Sequence, residues 1–175
     1  MDSCVLKSSS SAAVSAASKR RVPCARPTST SPSSTRPTIT LLAESERLHG
    51  QAKAAEARLR PIIAQQNALL VVRAAHMRAA RAAGMSDAAL KDAQWLASRR
   101  GRAFVESGNT GLLEPFNVAG STLALLDQAE IALELGRTQE ARVVLAQFKA
   151  AWPVEAMPAP LRVRLAALEA GVAAH

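Results

Sequence analysis

The sequence predicts an all-α protein built from antiparallel helical hairpins, and three observations support this fold class. Apolar residues recur every three or four positions over residues 125–153, as they do along one face of a helix. The chain has three Phe, two Trp and no Tyr, so its core must be built mainly from Ala, Leu and Val. Alternating, β-branched strand patterns are nearly absent after residue 40. We therefore expect a short α-solenoid or a small bundle of hairpins.

The chain is expected to divide into a disordered tail, residues 1–38, and a helical domain, residues 41–175. The tail is rich in Ser, Pro and basic residues, and its prolines break any continuous helix. These prolines are Pro23, Pro27, Pro32 and Pro37. Its composition also matches an organelle transit peptide. A cytoplasmic location is expected, with organelle targeting as the alternative.

Helices are predicted over residues 41–59 and 61–82 in the first part of the domain. Pro61 suits the first turn of the second of these helices, because the N–H that it lacks has no partner there. Gly84 suits the end of that helix, because glycine adopts a left-handed conformation without steric cost. Ser86 is the predicted N-cap of a third helix over 87–106.

A loop is predicted over residues 107–115, followed by Asn117 or Ser121 as the cap of the next helix. The hairpin at 125–153 then turns at Gly136, and a last helix is predicted over 161–172 as a capping element. The predicted core residues of this part are Leu125, Leu126, Ala129, Leu133, Ala141, Val144, Leu145, Phe148 and Leu165.

This hairpin resembles the tetratricopeptide repeat, a helix-turn-helix unit of 34 residues. Ala129 and Ala141 fall at the positions where the two helices of that family approach closely, and Pro153 falls at its terminal proline. Because the family binds proteins and peptides, the resemblance implies a non-catalytic scaffold whose first helices line the binding groove. The implied partner contacts are Arg73, Asp127, Gln128, Glu130 and Glu134.

The formal charge of +8 is unevenly distributed, which supports an alternative function. Residues 1–110 are basic, whereas residues 111–175 carry two more acidic than basic side chains. A basic surface within residues 73–102 would attract nucleic acid or another polyanion. Its arginines are Arg73, Arg78, Arg81, Arg99, Arg100 and Arg102. Stacking aromatics are scarce, and no nucleic-acid-reading motif is visible.

No sequence motif indicates catalysis, a metal site or a cofactor. His49, His76 and His175 are far apart without nearby ligand-spaced carboxylates, so His76 is interpreted as an ordinary helix residue. The carboxylates of the hairpin's first helix, at helical spacing, are interpreted as a solvated face rather than an acid–base set. We expect no enzyme activity and no membrane span, since no apolar run reaches the roughly 18 residues that a span requires.

The number of repeats also bears on the assembly. Repeat arrays usually need about three units for independent stability, whereas this sequence offers about two and a half. The sequence is therefore expected to be the end of a longer array, a homo-oligomer, or a domain that a protein or peptide partner stabilises.

Overall fold

The computed structural model describes residues 35–64, 69–100 and 114–174, although the side chains of 35–37 and 114–118 are not described. All the regular elements in these ranges are helical, which confirms the predicted fold class. The seven α-helices are α1 Thr35–Leu48, α2 Ala52–Ile63, α3 Leu70–Ala82, α4 Ser86–Ser98, α5 Glu114–Glu134, α6 Thr138–Ala151 and α7 Ala159–Ala173. A short 3-10 turn, Val154–Ala156, precedes α7. Most of the predicted tail and Arg102 lie outside the described residues.

Three tight turns, each with the same geometry, fold the first six helices into three hairpins. Their glycines, Gly50, Gly84 and Gly136, have φ angles of 79°, 78° and 71°. Each glycine N–H donates to the carbonyl three residues earlier, and the next N–H donates to the carbonyl five residues before itself. This is the Schellman motif, which favours glycine because its left-handed residue carries a steric cost for any side chain.

The hairpins stack in chain order, and their first helices form a continuous layer. Each helix packs against the next one in the chain. In addition α1 contacts α3, α3 contacts α5 and α5 contacts α7, whereas the described parts of α2, α4 and α6 have no comparable contacts with one another. The odd-numbered helices therefore form what we call the inner layer, and the even-numbered helices lie on the other side, where Gln94 of α4 donates its amide N–H to Glu140 Oε1 of α6 at 2.9 Å.

The core consists of a large apolar cluster and a smaller one. The large cluster joins α3 to α7 and includes all nine predicted core residues, of which only Leu133 is partly buried. The smaller cluster joins the first hairpin to α3 through Ala55, Leu59, Val72 and neighbouring alanines. The residue five positions after each turn glycine is a fully buried alanine, which permits close approach of the paired helices. These residues are Ala55, Ala89 and Ala141.

The predicted division of the first helices was wrong. A single helix over 41–59 was expected, but Gly50 ends α1 and α2 begins two residues later. Pro61 lies in the last turn of α2 instead of starting a helix. The helix that was predicted over 61–82 begins instead at Leu70, as α3.

The starts of three helices also differ from the predictions. Asn117 and Ser121 are not caps, since both lie inside α5, whose longer apolar pattern extends back to Glu114. Ser86 is the first residue of α4 and Met85 is its N-cap. α1 begins at Thr35, within the predicted tail, because a proline such as Pro37 is tolerated in a first helical turn.

Candidate partner-binding surface

A ladder of alternating charges crosses the inner layer. Glu44, Arg78 and Glu130 each lie six residues before the turn glycine of their hairpin, so they occupy equivalent positions on α1, α3 and α5. Arg164 of α7 follows Glu130 by the same 34 positions that separate Glu44 from Arg78. The four side chains thus alternate in sign from one inner-layer helix to the next.

The first rung of the ladder joins α1 to α3. Arg78 Nε donates to Glu44 Oε1 at 2.8 Å, and Arg47 Nε donates to Glu44 Oε2 at 2.8 Å. Burial alone would raise the pKa of Glu44, but the hydrogen bonds and positive charges of the two arginines outweigh it and lower the pKa. Glu44 is therefore held as a carboxylate between two guanidinium groups.

The second rung joins α3 to α5 through one guanidinium. Arg81 Nη1 donates to Glu130 Oε2 at 2.7 Å, and Arg81 Nη2 donates to Glu134 Oε1 at 2.5 Å. Burial by itself would lower the pKa of Arg81, yet its bonds to the two glutamates raise it. One arginine thus binds two successive turns of α5.

The third rung joins α5 to α7. Arg164 Nε donates to Glu130 Oε1 at 2.7 Å, and Arg164 Nη2 donates to Asp127 Oδ1 at 2.6 Å. Burial would raise the pKa of Glu130, but Arg164 and Arg81 together lower it. A general acid at neutral pH needs the opposite shift, so Glu130 is a structural counterion and poorly suited to acid catalysis.

All five predicted partner contacts thus have partners within the chain, and Arg73 is paired with Asp92. Asp127, Glu130 and Glu134 are ion-paired on the inner layer, whereas the sequence interpretation was a merely solvated face. Gln128 is almost buried and donates its amide N–H to Glu140 Oε1 at 3.2 Å. A ligand reaching this surface would meet a layer whose charges are already compensated.

The accessible part of the inner layer also contains apolar side chains. Val71 is 38% exposed, and it shares one stripe of α3 with Ala74, Arg78 and Arg81, at intervals of three or four residues. Because Arg78 and Arg81 face α1 and α5, this stripe lies on the inner layer. The surface beside the ladder is therefore partly apolar.

The five described arginines of the predicted polyanion-binding set do not form one free basic surface. Arg73, Arg78 and Arg81 are each paired with carboxylates inside the chain. The guanidinium carbons of Arg73 and Arg99 lie 4.4 and 4.6 Å from the centre of the Trp95 ring, so both make cation–π contacts. The remaining described arginine of this set, Arg100, borders an open depression beside α6.

A buried charge network connects α2, α3 and α4, and the sequence interpretation missed it. His76 lies between Asp92, which its Nδ1 contacts, and Glu56, whose Oε1 lies 3.3 Å from its Nε2. Arg73 Nη1 donates to Asp92 Oδ1 at 2.9 Å, and Arg60 Nε donates to Glu56 Oε1 at 2.9 Å. The five side chains form a continuous chain of alternating charge, provided that His76 is protonated.

The geometry favours the imidazolium form of His76. A neutral imidazole has one N–H, so one of its nitrogens would present a lone pair to an ionised carboxylate. Burial lowers the pKa of His76, but its hydrogen bonds and charge interactions with Asp92 and Glu56 outweigh burial, and the pKa is raised. Since both ring nitrogens are occupied by carboxylates, His76 has none left for a substrate proton.

Two further observations concern other classes of site. In the described part of the chain, no group of His, Cys, Asp and Glu side chains is arranged to hold a metal ion. None of the helices in residues 35–64, 69–100 and 114–174 combines the length and apolar character needed to cross a bilayer.

The sequence does contain a signal for the first hairpin, whose turn at Gly50 was not predicted. Gly50 and Gly84 lie 34 positions apart, and each is followed five residues later by an alanine.

Comparison of the chain with protein-family models, curated proteins and solved structures gives no match. The function is therefore inferred from the geometry alone.

Proposed function

We propose that this chain is a non-catalytic scaffold of tetratricopeptide-like hairpins that binds a protein or peptide along its inner layer. The observation that carries the proposal is the common register of the three hairpins. All three have the same glycine turn and the same buried alanine five residues later, and the first two turns are separated by the length of a tetratricopeptide repeat. Stacked hairpins of this kind build extended surfaces rather than enclosed reaction sites.

The inner layer supports a peptide-sized ligand with few charges. Its guanidinium and carboxylate groups neutralise each other from α1 to α7, so a strongly charged ligand would have to compete with existing ion pairs. Val71 and Ala74 offer apolar contact area on the same surface. The same pairing weakens the case for a polyanion ligand, because Arg73, Arg78 and Arg81 are already neutralised.

A displayed library of random peptides, selected on the full chain, tests the proposal. We expect enriched peptides whose affinity falls at least tenfold in a Val71→Glu variant, which places a charge on the inner layer. Val143→Glu is the matched control, since Val143 is exposed on the outer helix α6. Selection of no ligand, or equal loss in both variants, would contradict binding along the inner layer.

The polyanion alternative is tested separately with a random-sequence oligonucleotide. Binding that falls steeply with added salt, and that is lost on replacing Arg99 and Arg100 by Gln, would favour it. Peptide binding to the inner layer predicts a weak salt dependence and no effect of these two substitutions.

A further inference from the structure

The first hairpin is joined to the second by a small apolar contact and by polar contacts. The apolar part is the smaller cluster, in which Leu59 of α2 and Val72 of α3 pack with buried alanines. The second and third hairpins instead share the large cluster, with Leu90, Leu125 and Phe148. Alanine side chains bury little apolar area, so the polar contacts matter more where the first hairpin meets α3.

The polar contacts between the first hairpin and α3 differ in how they respond to pH. Arg78 pairs with Glu44 of α1, and Arg73 Nη2 donates to a backbone carbonyl of α2 at 3.3 Å. The pKa of Glu44 is lowered and arginine stays protonated, so these contacts keep their charges between pH 6 and pH 9. His76 Nε2 contacts Glu56 Oε1 of α2 at 3.3 Å, and this contact depends on a proton that histidine ordinarily loses near neutral pH.

The two nitrogens of the His76 ring face different hairpins. Nδ1 faces Asp92 of α4, in the same hairpin as His76, and this is the closer of the two contacts. Nε2 faces Glu56 of α2, in the first hairpin. A neutral imidazole has a single N–H, and the closer carboxylate retains it. Loss of one proton therefore turns the Nε2 lone pair towards Glu56 and leaves the contact with Asp92 in place.

Glu56 has no easy way to avoid this unfavourable contact while the hairpins stay packed. Its side chain is only 3% exposed. The hydrogen bond from Arg60 lowers the pKa of Glu56, so the carboxylate stays ionised when His76 becomes neutral. Arg60 lies on the same helix as Glu56, and its pairing therefore adds no link between the hairpins. A buried carboxylate that faces a lone pair is costly, and movement of α2 away from α3 relieves the cost.

The charged groups around His76 come from three helices. They are Glu56 and Arg60 of α2, Arg73 of α3 and Asp92 of α4. The helices α1 and α5 also pack against α3, but their carboxylates bind other arginines: Glu44 binds Arg78, and Glu130 and Glu134 bind Arg81. Histidine is the side-chain type whose charge ordinarily changes between pH 5 and pH 8, so His76 is the group of this cluster that responds to pH near neutrality.

We propose that the proton on His76 Nε2 holds the first hairpin against the second, and that its loss releases the first hairpin while the second and third hairpins stay packed. The last two remain together because α3 contributes Met77 and Ala80 to the large cluster. Release would break the first rung of the charge ladder, since Glu44 and Arg78 lie on opposite sides of the separating surfaces. The proposal concerns how the hairpins are joined, so it does not depend on the proposed peptide binding.

The direction of the pH effect follows from the folded-state pKa. Burial lowers the pKa of His76, but the hydrogen bonds and charges of Asp92 and Glu56 outweigh burial and raise it. The contribution of the proton is therefore complete below the unfolded value of roughly 6.5 and is lost as pH rises through the folded value. Release is expected on the alkaline side.

Native-state hydrogen exchange of the full chain, from pH 6 to pH 9, tests the proposal. Each amide rate is divided by its intrinsic rate at the same pH to give a protection factor. In the parent, the protection of α1 and α2 should fall about tenfold over this range and stay below that of α5 and α6. His76→Gln removes the titrating ring and should abolish the fall. His49→Gln is the matched control and should behave as the parent, because His49 is exposed at the end of α1.

Glu56→Gln separates the effect of the proton from loss of the ring. A carboxamide accepts a hydrogen bond from a protonated Nε2 and donates one to a bare Nε2, so it suits both forms of His76. The pH-dependent fall in protection should therefore disappear in this variant too, while its circular dichroism matches that of the parent.

The nitrogen chemical shifts of the His76 ring at pH 9 show which contact survives, and we expect the remaining N–H on Nδ1. An N–H on Nε2 would preserve the contact with Glu56 and overturn the proposal. A pH-independent protection of α1 and α2 in the parent, or an undiminished fall in His76→Gln or Glu56→Gln, also overturns it. So does equal protection of the first hairpin and of α5 and α6 at pH 9, which would mean that the hairpin separates only on complete unfolding.

Discussion

The junction between the first two hairpins and the junction between the last two use corresponding helix pairs but different chemistry. In the first, a small cluster of alanine, leucine and valine side chains adjoins the buried charge network centred on His76. In the second, Leu90 of α4, Leu125 of α5 and neighbouring side chains belong to the large apolar cluster, and the ion pairs lie near its surface. Hairpins in the same register can therefore be joined by a buried charge network or by the packing of large apolar side chains. The two junctions should therefore respond to different perturbations.

Phe148→Ala should have the largest effect, because Phe148, on α6 of the third hairpin, is the largest fully buried side chain of the described residues and belongs to the large apolar cluster. We expect a loss of about 3–5 kcal/mol in the free energy of unfolding, from lost burial and the cavity left behind. Urea unfolding followed by circular dichroism measures it. Val143→Ala on the same helix is the control and should cost far less, since Val143 is half exposed. The loss should be the same at pH 6 and pH 9, and a strong pH dependence would show that the apolar core is coupled to the charge network.

His76→Gln should have the next largest effect, and its effect should depend on pH. At pH 6 we expect a loss of about 1.5–3 kcal/mol, the range for hydrogen bonds to charged groups. The folded-state pKa of His76 is raised, so its stabilisation is complete below the unfolded value of roughly 6.5 and is lost as pH rises through the folded value.

The measurement is urea unfolding of the parent and the variant from pH 6 to pH 9. The parent should lose stability along this range, while His76→Gln should lose less, so that the two curves converge at the alkaline end. His49→Gln is the control, because His49 is exposed at the end of α1 and contacts only the Ser45 carbonyl. A pH-independent difference between parent and His76→Gln would show that the ring contributes by packing alone.

Replacing the buried alanine of each hairpin by leucine compares the hairpins that meet at the two junctions. Ala55, Ala89 and Ala141 are all fully buried, and a larger side chain should force the paired helices apart. We expect a loss of about 1–3 kcal/mol for each single substitution, from overpacking. Thermal unfolding measures it. A parent-like melting temperature for Ala141→Leu would contradict the close approach of α5 and α6. A smaller loss for Ala55→Leu than for Ala141→Leu would mean that the first hairpin, beside the charged junction, is the more adaptable.

Arg164→Gln should have the smallest effect, because the charge ladder is only partly buried. A loss of about 0.2–1 kcal/mol is expected at low salt and less at high salt. The pKa of Glu130 is lowered, so its pairing stabilises the fold above roughly pH 4.5, its unfolded value, and this contribution is lost as pH falls through the folded value. Arg164→Gln should therefore flatten the acid side of the stability profile. Lys149→Gln, which breaks the exposed pair with Glu169, is the control and should change that profile less.

The sequence was sufficient to predict what depends on local patterns. The helical fold class, the turns at Gly84 and Gly136 and the buried stripes of α5, α6 and α7 follow from apolar periodicity and from the freedom of glycine. The turn at Gly50 was missed because helical residues surround it on both sides. Its 34-residue distance from Gly84 was the available signal.

The candidate site was less predictable, because its contacts join residues that are distant in the chain. Arg81 and Glu134 are 53 positions apart, and His76 and Asp92 are 16 positions apart on different helices. Sequence rules for side-chain pairs on one helix apply only to residues three or four positions apart. They therefore do not predict that Arg81 pairs with Glu134. The burial of His76 likewise depends on how α2 and α4 pack around α3.

The shared glycine turn also has a consequence for how the chain folds. Each turn closes a pair of helices that are adjacent in sequence, so much of the native packing forms between near neighbours along the chain. Chains with mostly local contacts fold quickly, and stacked hairpins nucleate in one unit and then propagate. The second and third hairpins share the large apolar cluster, so we expect them to form the nucleus and the first hairpin to add last. In the native state, the first hairpin would then also be the part that opens most often and exchanges its amide hydrogens fastest.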